Sequence, residues 1–350
     1  MSKFAILGDT HFGCRNDLGL FHDHFEKFYD MLINDLIEQE VDTIFQLGDL
    51  FDRRKYINFQ SLSRAKTYFF DRIEEAGIKL DTLVGNHDIF FKETLNVNSS
   101  SLVLGEYGNI TVYQKPTTIY FNDTSIDIIP WICKDNEEEI KEFIANSKSD
   151  LCFGHFEIDT FQMYRGVESH GGLPIKLFDR YELVCSGHYH TRSQRENIVY
   201  VGTPYEMTWQ DHNDPKGYHI FDTETRALQF HENPHTIFVR LEYDDTKPML
   251  DLDAISVADC FVKLVVVNKT DLYKFDQYVQ KLYGKKAYEI KIVEDLSEFS
   301  DGEIGEEIDL EDTMDVLSNY IDSIETDADK EKIKTYLKSL YIEAINIEVV

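Results

Sequence analysis

The sequence predicts a layered α/β fold, a β-sandwich flanked by helices, with a small α+β domain and a helical C-terminal tail added to it. Three observations lead there. Short apolar runs alternate with amphipathic stretches, the early runs each end in a glycine followed by polar residues, and the character of the chain changes after residue 233. Apolar runs closed by turn residues read as strands, and apolar residues three and four apart read as helices.

Runs at 4–7, 43–47 and 80–84 predict the first three strands. Between the first two, Phe25, Phe28, Tyr29, Leu32, Ile33, Leu36 and Ile37 recur at helical spacing, and a second helix fits 60–76. Further strands are expected at 110–113, 125–129, 151–153, 183–185, 198–201 and 218–221. Turns rather than long helices separate the later ones, so the sheet is expected to become mixed or antiparallel in its second half. Polar residues gather at the carboxyl ends of the strands, where open α/β folds carry their chemistry.

This first domain is expected to span residues 1–232. The α+β domain follows at 233–293, with β-rich runs at 235–243 and 261–267, a helix at 274–283 and a last strand at 288–293. Residues 294–312 hold ten acidic residues, no basic one and two glycines, the composition of a solvated linker. In 313–350, Met314, Leu317, Tyr320, Ile321 and Ile324 mark one apolar face and Ile333, Tyr336, Leu337, Leu340, Tyr341, Ala344 and Ile345 another, which predicts two amphipathic helices.

A chain of 350 residues with 42% hydrophobic and 13% aromatic content buries real cores and is not disordered. Its 35 basic residues against 65 acidic ones leave a net charge of −30, which excludes a strong grip on DNA through its own bulk charge. If nucleic acid is the substrate, metal ions, local basic patches or a partner must supply the positive field. Five dispersed cysteines without a C-x-x-C pair indicate neither a disulfide framework nor a cysteine zinc site, and read as reduced thiols of a cytoplasmic protein. No apolar run is long enough to span a membrane.

Five clusters carry the chemistry: Gly8-Asp9-Thr10-His11, Gly48-Asp49-Leu50-Phe51-Asp52, Gly85-Asn86-His87-Asp88, Gly154-His155 and Gly187-His188-Tyr189-His190. A single Gly-Asp pair is most often a turn, and an isolated histidine most often a satisfied core or surface residue. Five such clusters in order, each at a strand end, point instead to one site. Carboxylates, an amide oxygen and imidazoles form a mixed donor set suited to manganese, iron or zinc rather than calcium. Two ions about 3.5–4 Å apart need a shared ligand, and a lone carboxylate such as Asp49 can bridge them.

In this order the clusters resemble the calcineurin-like metallophosphoesterase superfamily. The GDLFD form of the second cluster, the Ile-Pro-Trp stretch ending at Trp131, the run Val201-Gly202-Thr203-Pro204-Tyr205 and the helical tail resemble, within it, the SbcD-like DNA repair nucleases. The overall length and the wording of these segments are most similar to phage recombination endonuclease subunits.

The resemblance implies a DNA nuclease subunit of an SbcC/SbcD-type recombination and repair complex, acting as exonuclease on duplex ends and as endonuclease on single strands by a two-metal mechanism. It implies two divalent ions, manganese with magnesium as the alternative, a homodimer, and an SbcC-type coiled-coil ATPase subunit docked on the C-terminal helices. The α+β domain would cap the site, and a phage-encoded chain would act in the host cytoplasm.

By the same resemblance one ion is held by Asp9, His11, Asp49 and His190 and the other by Asp49, Asn86, His155 and His188. His87 stays free to stabilise developing charge or protonate the leaving oxygen, and Asp88 is expected to orient it. Some members carry a histidine where this chain has Asp52, which leaves Asp52 a supporting role at most. Two other functions use the same residues: hydrolysis of a phosphoprotein or small phosphodiester, which the −30 charge favours, and a non-catalytic scaffold, against which all seven ligand positions remain metal-competent.

Other residues are assigned plainer roles. His22 and His24 are expected at solvent-facing positions of the first helix, His170 in a polar loop, and Cys152 and Cys185 in the core beneath the site. Arg53, Arg54 and Lys55 follow the second cluster and are either a solvated loop or contacts to the DNA backbone.

Overall fold

In the computed structural model, residues 2–164, 167–168, 172–248 and 250–294 are described, together with 330 and 334. The predicted tail, the acidic stretch beyond 294 and His170 lie outside them. The chain forms two compact units, Met1–Val293 and Glu294–Val350.

Two six-stranded sheets build the first unit. One contains β1 (Lys3–Leu7), β2 (Thr43–Gln46), β3 (Lys79–Leu83), β4 (Ile110–Tyr113), β13 (Gly217–Asp222) and β14 (Ala227–Glu232) in the order β14-β13-β1-β2-β3-β4. The other contains β5 (Thr117–Phe121), β6 (Thr124–Ile129), β7 (Leu151–His155), β10 (Leu183–Gly187), β11 (Ser193–Arg195) and β12 (Ile198–Tyr200) in the order β11-β12-β10-β7-β6-β5. The short pair β8 (Gln162–Tyr164) and β9 (Val167–Glu168) lies between β7 and β10 in the chain.

The inner strands β1, β2, β7 and β10 are buried on two faces, which is why they read as continuous apolar runs, while edge strands such as β14 and β5 keep exposed residues. Phe4, Ile6, Phe45, Leu47 and Leu83 of the first sheet meet Ile126, Ile128, Leu151, Phe153 and Cys185 of the second in one inter-sheet core. Alternate residues of β1, Ala5 and Leu7, face a helical layer instead. There the long helix Gly19–Glu38 buries Phe21, Phe25, Phe28, Tyr29, Leu32, Ile33 and Leu36, while Ile37 of the predicted stripe is 56% exposed.

The predicted 60–76 helix runs through Phe59–Ala65, a π-turn at Lys66–Phe70 and Asp71–Glu75. That wider turn buries Tyr68, Phe69 and Phe70 in succession.

The second sheet is mixed, as expected, but its antiparallel pairs are confined to the edges. β12, β10, β7 and β6 are mutually parallel, and a helix absent from the sequence reading, Glu137–Asn146, makes the β6–β7 crossover. The α+β segment forms β15 (Phe238–Asp244), β16 (Phe261–Asn268), the helix Leu272–Tyr283 and β17 (Glu289–Glu294), with its own apolar cluster around Leu241, Leu264 and Leu282. It belongs to the same compact unit as the sandwich. His24 Nε2 donates to the Asp259 carbonyl at 2.9 Å, and the buried Glu206 carboxylate accepts the amides of Ile237 and Phe238 at 2.8 and 3.0 Å.

Candidate metal centre

Because β1, β2 and β3 run parallel, as do β7 and β10, their carboxyl ends emerge together at one edge of the sandwich. Asp9, Asp49 and Asn86 follow the first three, His155 ends β7, and His188 and His190 follow β10. Gly48, at φ 93°, has no room for a side chain: a Cβ would lie 2.7 Å from His155 Nδ1. Three candidate ligands themselves hold left-handed backbone, His11 (φ 41°), Asp49 (φ 52°) and His188 (φ 88°). Such conformations are costly for residues with a side chain and persist where the surroundings enforce them.

All seven candidate ligands converge. His11 Nε2 lies 3.1 Å from His190 Nε2, 3.8 Å from Asp49 Oδ2 and 4.0 Å from Asp9 Oδ2. On the other side His155 Nε2 is 2.8 Å from Asn86 Oδ1 and 3.3 Å from Asp49 Oδ2, and His188 Nδ1 is 3.0 Å from the same amide oxygen. Asp49 thus touches both halves. Among the described residues, Asp9, His11 and His190, and likewise Asp9, Asp49 and His155, bring ligand atoms within 4.8 Å of one another.

The donor set fits a cation. A carbonyl only accepts, so the 2.7 Å contact of His155 Nδ1 to the Leu47 oxygen puts a proton on Nδ1 and leaves Nε2 aimed at two oxygen acceptors. A second proton on the ring or a cation between them satisfies that arrangement, and the facing nitrogens of His11 and His190 are satisfied by one tautomeric proton or by a cation; the carboxylates and the amide oxygen that converge with them suit the cation. Burial pushes the Asp9 carboxyl up to about 7, and burial lowers His188 to about 3 and His190 to about 4, which keeps these imidazoles neutral and their lone pairs available. Burial alone would lower His155 and raise Asp49, but their mutual attraction wins: His155 rises to about 9 and Asp49 falls well below the carboxylate range.

His87 sits beside the cluster. Its amide donates to Asp49 Oδ1 at 2.7 Å and its Nδ1 donates to the Asp52 carbonyl at 2.6 Å. Burial works to lower its pKa, yet the charge of Asp49 and the Asp52 contacts outweigh burial and raise it. The Asp52 carboxylate faces His11 Nδ1 at 3.5 Å.

Asp88 has a different partner set from the expected one. Its carboxylate accepts the amides of Asp49 and Gly85 at 2.9 Å and of Leu50 at 3.1 Å, and the Ser99 hydroxyl at 3.2 Å. It ties the second and third clusters together through their backbones, while the Asp52 carbonyl orients His87. Gln46, overlooked in the sequence, does the same for the first and second: Nε2 donates to the carbonyls of Gly8 and Gly48, and Oε1 accepts from Gly48 and Thr82. Its one legible signal is a polar residue inside an apolar strand.

The remaining candidates separate clearly. Arg53 is committed internally to Asp17 at 3.0 Å and Asn16 at 2.6 Å, and lies over the Tyr56 ring, whereas Lys55 is exposed and Arg54 half-buried, its charge opposing protonation of His87. His22 and His24 are buried at 1% and 7% exposure, not solvent-facing, because the first turns of their helix pack under the π-turn and the α+β segment. Cys152 and Cys185 are fully buried, and all five cysteines are free. The Trp131 ring lies tilted against His188 and edge-on to His155, at ring distances of 5.1 and 5.8 Å.

Comparison with known proteins gives the family. Residues 2–192 match the calcineurin-like phosphoesterase family model. The chain belongs to that family. It is 34% identical over 352 residues to exonuclease subunit 1 of Enterobacteria phage T4, covering 98% of this chain and 99% of that protein. It is 30% identical over 202 residues to the DNA double-strand break repair protein Mre11 of Sulfurisphaera tokodaii, covering 55% of this chain and 50% of that one. The Mre11 protein of Nanoarchaeum equitans is 22% identical over 312 residues, 80% of this chain and 83% of its own. No described helix is long and apolar enough to cross a membrane.

Proposed function

We propose that this metal-dependent phosphodiesterase is the DNA nuclease subunit of an SbcC/SbcD-type recombination and repair complex. The observation that carries the reading is end-to-end similarity to a phage exonuclease subunit, in a chain whose seven candidate ligands converge on one edge. Asp9, His11, Asp49 and His190 would hold one ion, and Asp49, Asn86, His155 and His188 the other. Bound there, divalent ions supply Lewis acidity and a more acidic water.

The chain's own groups do the rest. His87, whose protonation Asp49 and Asp52 favour, donates a proton to the leaving oxygen. Asp88 and Gln46 hold the loops at fixed separation, so that the carboxylates cost little reorganisation during reaction. Arg54 and Lys55 supply local positive charge for the DNA backbone, and a basic surface on an ATPase partner compensates for the −30 of this chain. A homodimer would bury exposed apolar side chains such as Phe59, 87% exposed, and Leu102, 73% exposed.

The test is degradation of linear DNA by the purified chain with manganese, with and without its ATPase partner and ATP, beside a small chromogenic phosphodiester. DNA cleavage that His87→Ala removes supports the reading. Hydrolysis of the small ester alone, even with partner and ATP, replaces it with the generic phosphodiesterase.

A further inference from the structure

Lysine is rarely buried without partners, and Lys216 is 4% exposed. Its ammonium group spends three donors on three acceptors: Asp211 Oδ1 at 2.7 Å, Asp214 Oδ2 at 2.8 Å and the His190 carbonyl at 2.9 Å. That carbonyl also accepts the Thr203 amide at 3.1 Å. Asp211 is itself pinned, with Oδ2 accepting the amides of Met207 and Thr208 at 2.9 and 2.8 Å, and Arg15 donates to the Met207 carbonyl at 2.9 Å. The 203–217 segment, which belongs to none of the five clusters, is thereby fastened to the backbone of a candidate ligand on one side and to the turn after the first cluster on the other.

Two features separate this arrangement from an ordinary buried ion pair. A lone ammonium group beneath His190 would oppose a cation at its imidazole, but two carboxylates against one lysine reverse the sign of the local charge. The contact also reaches His190 through its main chain, so it sets where the residue stands without occupying either ring nitrogen. A ligand's outer partners commonly govern metal affinity in this way.

We propose that Lys216, held between Asp211 and Asp214, is a positioning residue that fixes His190 through its carbonyl oxygen and so sets the affinity of one of the two metal positions. This rests on the metal-site reading above, and the following titration tells failure of one from failure of the other. Manganese binding is followed by the paramagnetic resonance signal of the free ion in the wild type, Lys216→Met, His190→Gln and the double variant.

The wild type takes up two ions per chain, and His190→Gln weakens one stepwise constant. Lys216→Met weakens the same constant about 10–100-fold and leaves the other within about threefold. In the His190→Gln background Lys216→Met has no further effect, because both act through one ligand. Glu206→Gln, a buried change in the same segment that does not touch His190, binds both ions like the wild type.

Unchanged constants in folded Lys216→Met, additive effects in the double variant, or an equal loss in Glu206→Gln each overturn the proposal. Unchanged constants in His190→Gln sink the metal assignment itself. If Lys216→Met does not fold, Asp214→Asn keeps the lysine bound to Asp211 and His190, and is expected to weaken the same constant by a smaller factor. No change there overturns the proposal equally.

Discussion

Burial does not tell the histidines of the helical layer from those of the loop edge. In the helical layer, His22 is 1% exposed, with Nδ1 3.1 Å from the Tyr68 hydroxyl and Nε2 2.8 Å from the Ser61 hydroxyl. A hydroxyl donates or accepts as needed, so a neutral imidazole is satisfied there by protein alone. At the loop edge, His155 is equally buried, but its Nε2 faces an amide oxygen and a carboxylate, and His11 faces another imidazole nitrogen. Facing lone pairs of this kind are satisfied by a proton or by a cation, and here carboxylates converge with the imidazoles to favour a cation. The chemistry of the partners, more than burial or pKa direction, marks a functional histidine.

The largest test of that contrast is Asp49→Ala, which removes the carboxylate touching both halves and the acceptor of the His87 amide. We expect no detectable DNA cleavage and loss of both ions in a manganese titration. Retention of two ions would break the claim that Asp49 joins the halves.

His87→Ala is expected to slow cleavage by about 10²–10⁴-fold while both ions still bind. The sign of its pH dependence follows from the raised pKa: the protonated donor is present below that value and lost as pH rises through it, so the wild-type rate declines on the alkaline side. A variant that keeps this decline would show that another group is the acid.

A smaller effect is expected from Asp88→Asn. The amide retains one acceptor oxygen but turns a donor toward backbone N–H groups, which costs about 1–3 kcal/mol. Chemical unfolding in chelator measures it. An unchanged midpoint would mean that the loops are held without Asp88.

The smallest is a pH effect in the helical layer. Burial lowers His22 to about 4 against an unfolded value near 6.5, so the unfolded chain binds its proton first. Stability is full above pH 6.5 and declines as pH falls toward 4, by at most roughly 1.4 kcal/mol per unit. His22→Gln, which keeps both hydrogen bonds and does not titrate, should flatten that window in chelator while leaving metal binding intact. Loss of an ion in this variant would dissolve the distinction between the two groups.

Much of the site was legible because metal-binding chemistry restricts residue type. Few side chains donate to a divalent ion, and glycines at strand ends announce where the chain turns toward one point. Asp88 was legible as a site residue but not in its partner, since spacing cannot say which backbone amides a carboxylate meets. Gln46 and Lys216 were not singled out because their roles depend on contacts 38 and 26 residues away in the chain. The His22 and His24 positions were misread for a related reason: a helix face appears polar until another element covers it.

The sequence by itself determined the alternation of strands and helices, the five clusters and the set of ligating residue types, because periodicity and side-chain chemistry are local properties. Only the tertiary structure decided that the central strands of both sheets run parallel, and so emerge at one edge. It alone decided that Asp49 stands between His11 and His155 and that Arg53 is consumed by Asp17. Those outcomes depend on strand order and on the inter-sheet packing of residues such as Phe4, Phe45 and Phe153, whose contacts are made between segments far apart in the chain.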